Sequence, residues 1–353
     1  MASQVESSDW LQWIERLVGA STVTARPAEH ARALPRALYY CCLDDQPDFL
    51  VPARFLRSPH GEDPSDCNRT DPKWILNPLC FFKTPDSIEF DEQHFACNSS
   101  GYRVVWVRDA AAGSVMPYWL GPELLDTLAR VEQGEALDEA VSRDTLFALK
   151  LAAVLIDENS SVGLAEERRP VTSKSRQQFL QNGYVPLGHL VHPFHLAALR
   201  RYYRYHLRHG NFQLGDSQTG SRYVAFNEPV ARFFHHQLTA RISEIVGEAV
   251  KPSYCYFSSY AEGSLLAKHT DREQCEFGIS LCIDYSPEAD LATPWPLRLH
   301  IKGGEAQIFQ ALGDAILYRG REIPHSRTRL AAGHSSTSIF FHFVRQDFSG
   351  PLN

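Results

Sequence analysis

From Lys251 onward the apolar residues of this chain recur at every second position, and that period is the strongest restriction on its fold. Phe277, Ile279, Leu281 and Ile283 alternate with Gly278, Ser280, Cys282 and Asp284, and Leu297, Leu299 and Ile301 alternate with Arg298, His300 and Lys302. A strand points successive side chains to opposite faces, so a segment with this period buries one face and not a helical stripe. Further strands are expected at Ala306–Gln310, Asp314–Tyr318 and Thr337–Val344. Two stripes at helical spacing come first. Phe194, Leu196, Leu199, Tyr202 and Tyr203 form one, and Val230, Phe233, Phe234, Leu238, Ile242 and Ile245 form the other, with Gly247 placed to stop it. Two helices followed by about eight short strands with glycine-containing turns predict a β-sandwich or barrel with helices packed outside.

Upstream, the polar stretches around residues 58–72 and 166–175 read as linkers or long loops and divide the chain into residues 1–72, 73–166 and 175–353. The first part carries a helical period near Trp10–Val18 and no readable function. The middle part alternates at Ser87–Phe95 and Tyr102–Val107, switches to helical spacing at Leu124, Leu125, Leu128 and Val131 behind Pro122, and predicts a second helix over Leu146–Ile156. That order resembles a small winged-helix unit of the kind that binds leader peptides in ribosomal peptide biosynthesis, which implies leader-peptide or carrier recognition. The competing reading is a structural cap on the downstream core.

Composition narrows the class of protein. With 44% hydrophobic and 22% charged residues the chain has the balance of a globular protein. A net charge of -7 argues against a nucleic-acid protein with a large basic face. The eight cysteines form no CxxC pair, which points to reduced thiols in a cytoplasm rather than a disulfide framework. No basic leader with an apolar run and no stretch of about 18 apolar residues occurs, so neither secretion nor membrane insertion is expected. The sequons at Asn68 and Asn98 therefore carry no weight.

Within the strand-rich half, the run from Tyr260 to Asp271 presents His269 and Asp271 two positions apart, so an extended backbone turns both to one side. A third ligand is expected at His325, behind Pro324 on a later strand. Two histidines and one carboxylate on a common face leave three positions of an octahedron open, the arrangement suited to iron(II). In a chain with 15 histidines a His-x-Asp triplet alone is weak. Its context is what distinguishes it: a Tyr-x-x-Gly turn before, alternating strands after, and Gly313-Asp314 leading a strand towards Pro324-His325. His235 and His236 are neighbours on a helical stripe and diverge by about 100°, so they cannot share a metal. His206 and His209 lack a partner carboxylate, and His189, His192 and His195 read as helix-entry residues.

Over roughly residues 175–345 these motifs resemble the non-haem iron(II), 2-oxoglutarate-dependent oxygenases, particularly the prolyl-hydroxylase-like branch. The resemblance implies an α+β chain with a double-stranded β-helix (jelly-roll) core. It implies His269, Asp271 and His325 as ligands of Fe(II), 2-oxoglutarate and O2 as co-substrates, and hydroxylation of a C–H bond in a peptide, amino-acid-like or natural-product substrate with release of succinate and CO2. The carboxylate at Asp271 favours hydroxylation over halogenation. The family places a basic residue nine or ten positions beyond the distal histidine to hold 2-oxoglutarate, where this chain has His334 and Ser335. The expected substitutes are Arg327, then Arg329, on the strand begun by His325, with Ser336 and Ser338 as hydroxyl partners. Arg319 and Arg321 flank Gly320 in a turn and are weaker candidates, and Tyr254 and Tyr256 are expected to line the pocket. Two other classes compete: a non-catalytic cupin-like sensor fused to a winged helix, and a zinc hydrolase using Glu273 or Glu276.

Overall fold

The structure is a computed structural model of the whole chain, and it describes residues 74–82, 103–108, 114–120, 122–133, 149, 152–158, 164–188, 190–191, 193–289 and 292–352. The expected helix at Trp10–Val18 and strand at Ser87–Phe95 lie outside these residues, as do His189 and His192.

The chain builds β1 (Trp74–Leu76), β2 (Cys80–Phe81), β3 (Arg103–Arg108), β4 (Val115–Leu120), α1 (Pro122–Glu132) and β5 (Leu155–Asp157) before the larger half begins. Pro122 sits in the first turn of α1, where its missing N–H costs nothing, and Leu124, Leu128 and Val131 bury one stripe of the helix. Two expectations for this region fail. Residues 155–156, the end of the expected second helix, lie in a strand instead, because Leu155, Ile156 and Asp157 pair antiparallel with Leu76, Ile75 and Trp74. The described elements therefore close back on β1 and do not follow the winged-helix order. The stretch 166–175, expected as a linker or long loop, lies within the helix α2 (Leu164–Asn182).

After α2 come β6 (Tyr184–Leu187), α3 (Pro193–Arg208), β7 (Gln213–Leu214), β8 (Arg222–Phe226) and α4 (Pro229–Val246). Both helices predicted from apolar spacing are present. Helix α4 starts at the N-cap Glu228, whose carboxylate accepts from Ala231 N, and stops at Gly247, which adopts φ 86° and donates its N–H to the Ser243 carbonyl. Eight strands follow: β9 (Val250–Tyr260), β10 (Leu266–His269), β11 (Phe277–Ser286), β12 (Leu297–Ile301), β13 (Gly304–Ile308), β14 (Ala315–Tyr318), β15 (His325–Arg327) and β16 (Ser335–Arg345).

These strands form two antiparallel sheets, in the orders β6-β14-β11-β16-β9-β8-β7 and β10-β15-β12-β13. Residues paired in register share a face, so the period-two pattern sorts the large sheet into two surfaces. Phe257, Ile339 and Leu281 face α2, α3 and α4 in one buried core, where Tyr203 stacks on Phe257 at 4.3 Å. On the opposite surface, Ser258, Ser338 and Cys282 lie in one row and Tyr260, Ser336 and Tyr285 in the next. That surface faces the four-stranded sheet, whose Leu297 and Leu299 pack against Ile316 and Tyr318 of β14. The β2-β3-β4 sheet docks on the helical side. Val115 N–H donates to Gln237 Oε1 at 2.9 Å, and the Tyr118 ring lies 4.9 Å from that of His195. Among the described residues, no helix is long and apolar enough to cross a membrane.

Candidate metal centre

His269 ends β10 and His325 begins β15, and the pairing of these strands makes the two residues direct partners. Cross-strand partners project to one face, which accounts for ring centroids only 4.4 Å apart. Asp271 follows two residues later and is pinned by its own N–H, which donates to the Gly320 carbonyl at 2.9 Å. Its Oδ1 lies 3.7 Å from His269 Nε2 and 3.5 Å from His325 Nε2. One donor atom from each residue falls within 4.8 Å of the others, so the three expected ligands converge on one point.

The ring orientations are fixed by backbone. His269 Nδ1 lies 2.8 Å from the Ala267 carbonyl and His325 Nδ1 lies 3.0 Å from the Ile323 carbonyl. A carbonyl only accepts, so each Nδ1 carries the proton and each neutral ring presents the lone pair of Nε2, the nitrogen that faces Asp271. Burial, with the neighbouring His269, pulls the His325 imidazolium down to about 4, which keeps that lone pair free at neutral pH. Burial pushes the Asp271 carboxyl up to about 7. Its Oδ2 is buried with no hydrogen-bond partner. A cation bound by Oδ1 and the two Nε2 atoms would stabilise the carboxylate against its burial. Two neutral imidazoles and a buried carboxylate are a donor set that fits a divalent metal ion.

Gly320 has a role that its sequence context did not disclose. A Cβ at this position would collide with Asp271 Oδ2 and lie 2.6 Å from the Cys275 carbonyl oxygen. Its neighbours, both weaker anchor candidates, face elsewhere: Arg319 lies over the Phe179 ring, and Arg321 is half-exposed beside Glu276. Glu276 also pairs with Arg345, and this occupies the carboxylate that a hydrolase would need as a base. Glu273 is exposed on the same turn.

Arg327 shares the inward side of β15 with His325 and is 4% exposed. Its Nη1 donates to the Trp295 carbonyl at 2.6 Å and its Nη2 to Gln310 Oε1 at 3.2 Å, while the guanidinium lies 4.7 Å from the Trp295 ring centre. Its Nε has no partner. Burial lowers its affinity for its proton, and the groups that offset this are Tyr260, Cys282, Tyr318 and Tyr285, none of them a carboxylate. Arg329, by contrast, is not inward. The strand ends at Arg327, and Arg329 is exposed and donates to the Gly263 carbonyl at 2.7 Å. Ser336 and Ser338 are buried on the inner surface of β16. Tyr256 is committed to another contact, donating its hydroxyl to Asp216 Oδ2 at 2.5 Å beside Arg222. His334, nine positions beyond His325, meets the Tyr285 hydroxyl through Nδ1 at 2.8 Å.

Three other described histidines sit in packed or hydrogen-bonded positions away from the triad. His235 Nε2 lies 2.8 Å from the His342 carbonyl, His206 Nδ1 contacts Asn211, and His195 is buried in α3. Trp295, Gln310, Tyr260 and Tyr318 surround Arg327 without having been identified from the sequence, nor were Cys275 and His342 near Asp271. Strand parity was the signal available: His342 shares the parity of Ser336 and Ser338, and Tyr260 that of Tyr254 and Tyr256.

No protein-family model matches the chain, and no curated protein matches it. Among solved structures it is similar to a prolyl-4-hydroxylase from Pseudomonas putida, at 16% identity and a TM-score of 0.41 over 50% of this chain and 99% of that one. It is also similar to the non-heme alpha-ketoglutarate-dependent epimerase SnoN from nogalamycin biosynthesis, at 11% identity and a TM-score of 0.42 over 50% and 83% of the two chains. A third is the prolyl hydroxylase of Trichoplax adhaerens in complex with a hypoxia inducible factor peptide fragment, at 12% identity and a TM-score of 0.43 over 51% and 92%.

Proposed function

We propose that this protein is an iron(II)- and 2-oxoglutarate-dependent oxygenase that hydroxylates an unactivated C–H bond of a peptide, amino-acid-like or natural-product substrate. The observation that carries the reading is the convergence of His269, Asp271 and His325 within 4.8 Å, with both histidines turned so that Nε2 faces the carboxylate. The distribution of β9–β16 supports it. Successive strands fall mostly in alternate sheets, with β9, β11, β14 and β16 in the large one and β10, β12, β13 and β15 in the small one, the course of a double-stranded β-helix. The three residues would hold iron(II) by one face, and the bound metal with 2-oxoglutarate and O2 supplies the capacity to oxidise an unactivated carbon, with succinate and CO2 as by-products.

The chain's own residues have separate tasks in this reading. Arg327 would take the far carboxylate of 2-oxoglutarate, because a buried guanidinium with no acidic partner among its neighbours is costly until an anion reaches it. Gln310 and the Trp295 carbonyl fix the guanidinium plane, and Ser336 adds a hydroxyl on the facing sheet. The inner surface also carries the unpartnered hydroxyls of Ser258 and Ser280, which suits a polar co-substrate. Removing Arg327 as Arg327→Ala is expected to weaken 2-oxoglutarate binding to the iron-loaded protein by ~2 kcal/mol, roughly 30-fold, as read by calorimetry. Unchanged affinity would refute the anchor and leave the triad standing. Incubation with iron(II) and 2-oxoglutarate in air should form succinate, and its complete absence would refute the oxygenase reading.

A further inference from the structure

Asp271 belongs to a second group of donors besides the triad. A carboxylate oxygen of Asp271, the Sγ of Cys275 and a ring nitrogen of His342 all lie within 4.8 Å of one another. His342 lies beside Gly278 in the register of β16 and β11, is 6% exposed, and has no partner at Nδ1. Asp271 Oδ2 has none either. The group is held in place from several sides. The Cys275 N–H donates to the Arg272 carbonyl and the Tyr254 hydroxyl lies 3.0 Å from Sγ, while the His342 carbonyl accepts from His235 Nε2 at 2.8 Å and Ser253 Oγ at 2.9 Å. Two buried polar atoms without partners, each costing about 1–3 kcal/mol, beside a buried thiol are what a cation would satisfy together.

We propose that Asp271, Cys275 and His342 form a second cation site, overlapping the triad at Asp271, for a thiophilic divalent ion of the zinc class. Imidazole and carboxylate accept iron or zinc alike, but a sulfur donor favours the softer, tetrahedral ion. Three protein donors leave a fourth position for water, the count of an open zinc site. On binding, the Cys275 thiol gives its proton to solvent as the sulfur–metal bond forms. Since Asp271 is common to both sets, an ion here weakens iron at the triad, and the site acts as an inhibitory position. Only that consequence rests on the triad reading; the site itself does not.

Cobalt(II) is the probe, because a thiolate ligand gives it an intense near-ultraviolet charge-transfer band that imidazole and carboxylate ligands do not. The full chain carrying His269→Ala and His325→Ala loses two triad donors and keeps the second set, so it should bind one equivalent of cobalt with this band, and zinc should bleach it. Adding Cys275→Ser should abolish the band, and adding His342→Ala should weaken cobalt binding by about tenfold or more. A folded double variant with no band, or a band that survives Cys275→Ser, would overturn the proposal. Should the double variant not fold, zinc affinity decides between wild type and Cys275→Ser: a loss of about tenfold or more supports the site, and equal affinities overturn it. Failure of the triad reading has a different signature, the absence of an iron(II)–2-oxoglutarate absorption, in which Cys275 takes no part.

Discussion

Asp271 carries the charge of the site, and the residues around it decide whether that charge is usable. Its partners in sequence order are two imidazoles whose protons are assigned by the Ala267 and Ile323 carbonyls, and a turn at Gly320 that leaves no room for a side chain. Gly320→Ala should therefore displace the carboxylate and reduce iron(II) affinity by about 10- to 100-fold, the range found when a group that supports a ligand is lost, while the fold persists. Calorimetry against wild type reads this, and an unchanged affinity would show that Asp271 is positioned by something else. The triad was legible in the sequence because His269 and Asp271 are close together and Pro324-His325 has a recognisable setting. Arg327 was legible through strand parity with His325. The same parity argument failed for Arg329, because β15 ends at Arg327 and alternation has no meaning beyond a strand's last residue. Gly320 and His342 were not legible, since their importance lies in contacts between segments that sequence spacing does not reveal.

Elements hold these residues through a few buried polar junctions. Glu228 caps α4 and at the same time accepts from the hydroxyls of Tyr202 at 2.6 Å and Tyr203 at 2.8 Å on α3, so one carboxylate joins the two helices that support the large sheet. Replacing it as Glu228→Ala should cost about 3–5 kcal/mol, from the lost cap and two phenols left without partners. Urea unfolding would measure this, and a cost below 1 kcal/mol would contradict the junction's role. The helices α3 and α4 and the strands β11, β12, β14 and β16 followed from period, whereas β7 and β8, which lie between the two helices, were not read from it. Period misled at two places. Residues 166–175 are polar and contain Pro170, yet they continue α2, and Leu155 and Ile156 are apolar enough for a helix but are captured by β1. At Leu155 and Ile156, pairing with a distant strand overrode local propensity.

At the scale of the whole molecule, Asp284 ties α3 to the interior strand β11 through Arg200 at 2.9 Å and Arg204 at 2.5 Å. Burial alone would raise the Asp284 carboxyl, but the two guanidinium groups outweigh it and hold the group below the usual carboxylate range. A folded-state value below the unfolded one, about 3.9, means that this stability is fully present above pH 4 and is lost as pH falls through the folded value. Asp284→Asn should destabilise the protein by about 3–5 kcal/mol at neutral pH, since the buried Arg200 keeps only the more distant, half-exposed Glu288 carboxylate at 3.5 Å, and should flatten the acid limb of the pH–stability curve. An acid limb unchanged in the variant would assign it to other carboxylates. On the opposite face of that strand, two sheets close on the candidate metal centre and a buried arginine. The most direct test of the oxygenase reading is an anaerobic titration of the apo protein with iron(II) and then 2-oxoglutarate, followed by visible absorption. A weak metal-to-ligand charge-transfer band that saturates at one equivalent and is absent in His269→Ala is expected; no band in the wild-type protein, or an equal band in the variant, would overturn the oxygenase reading.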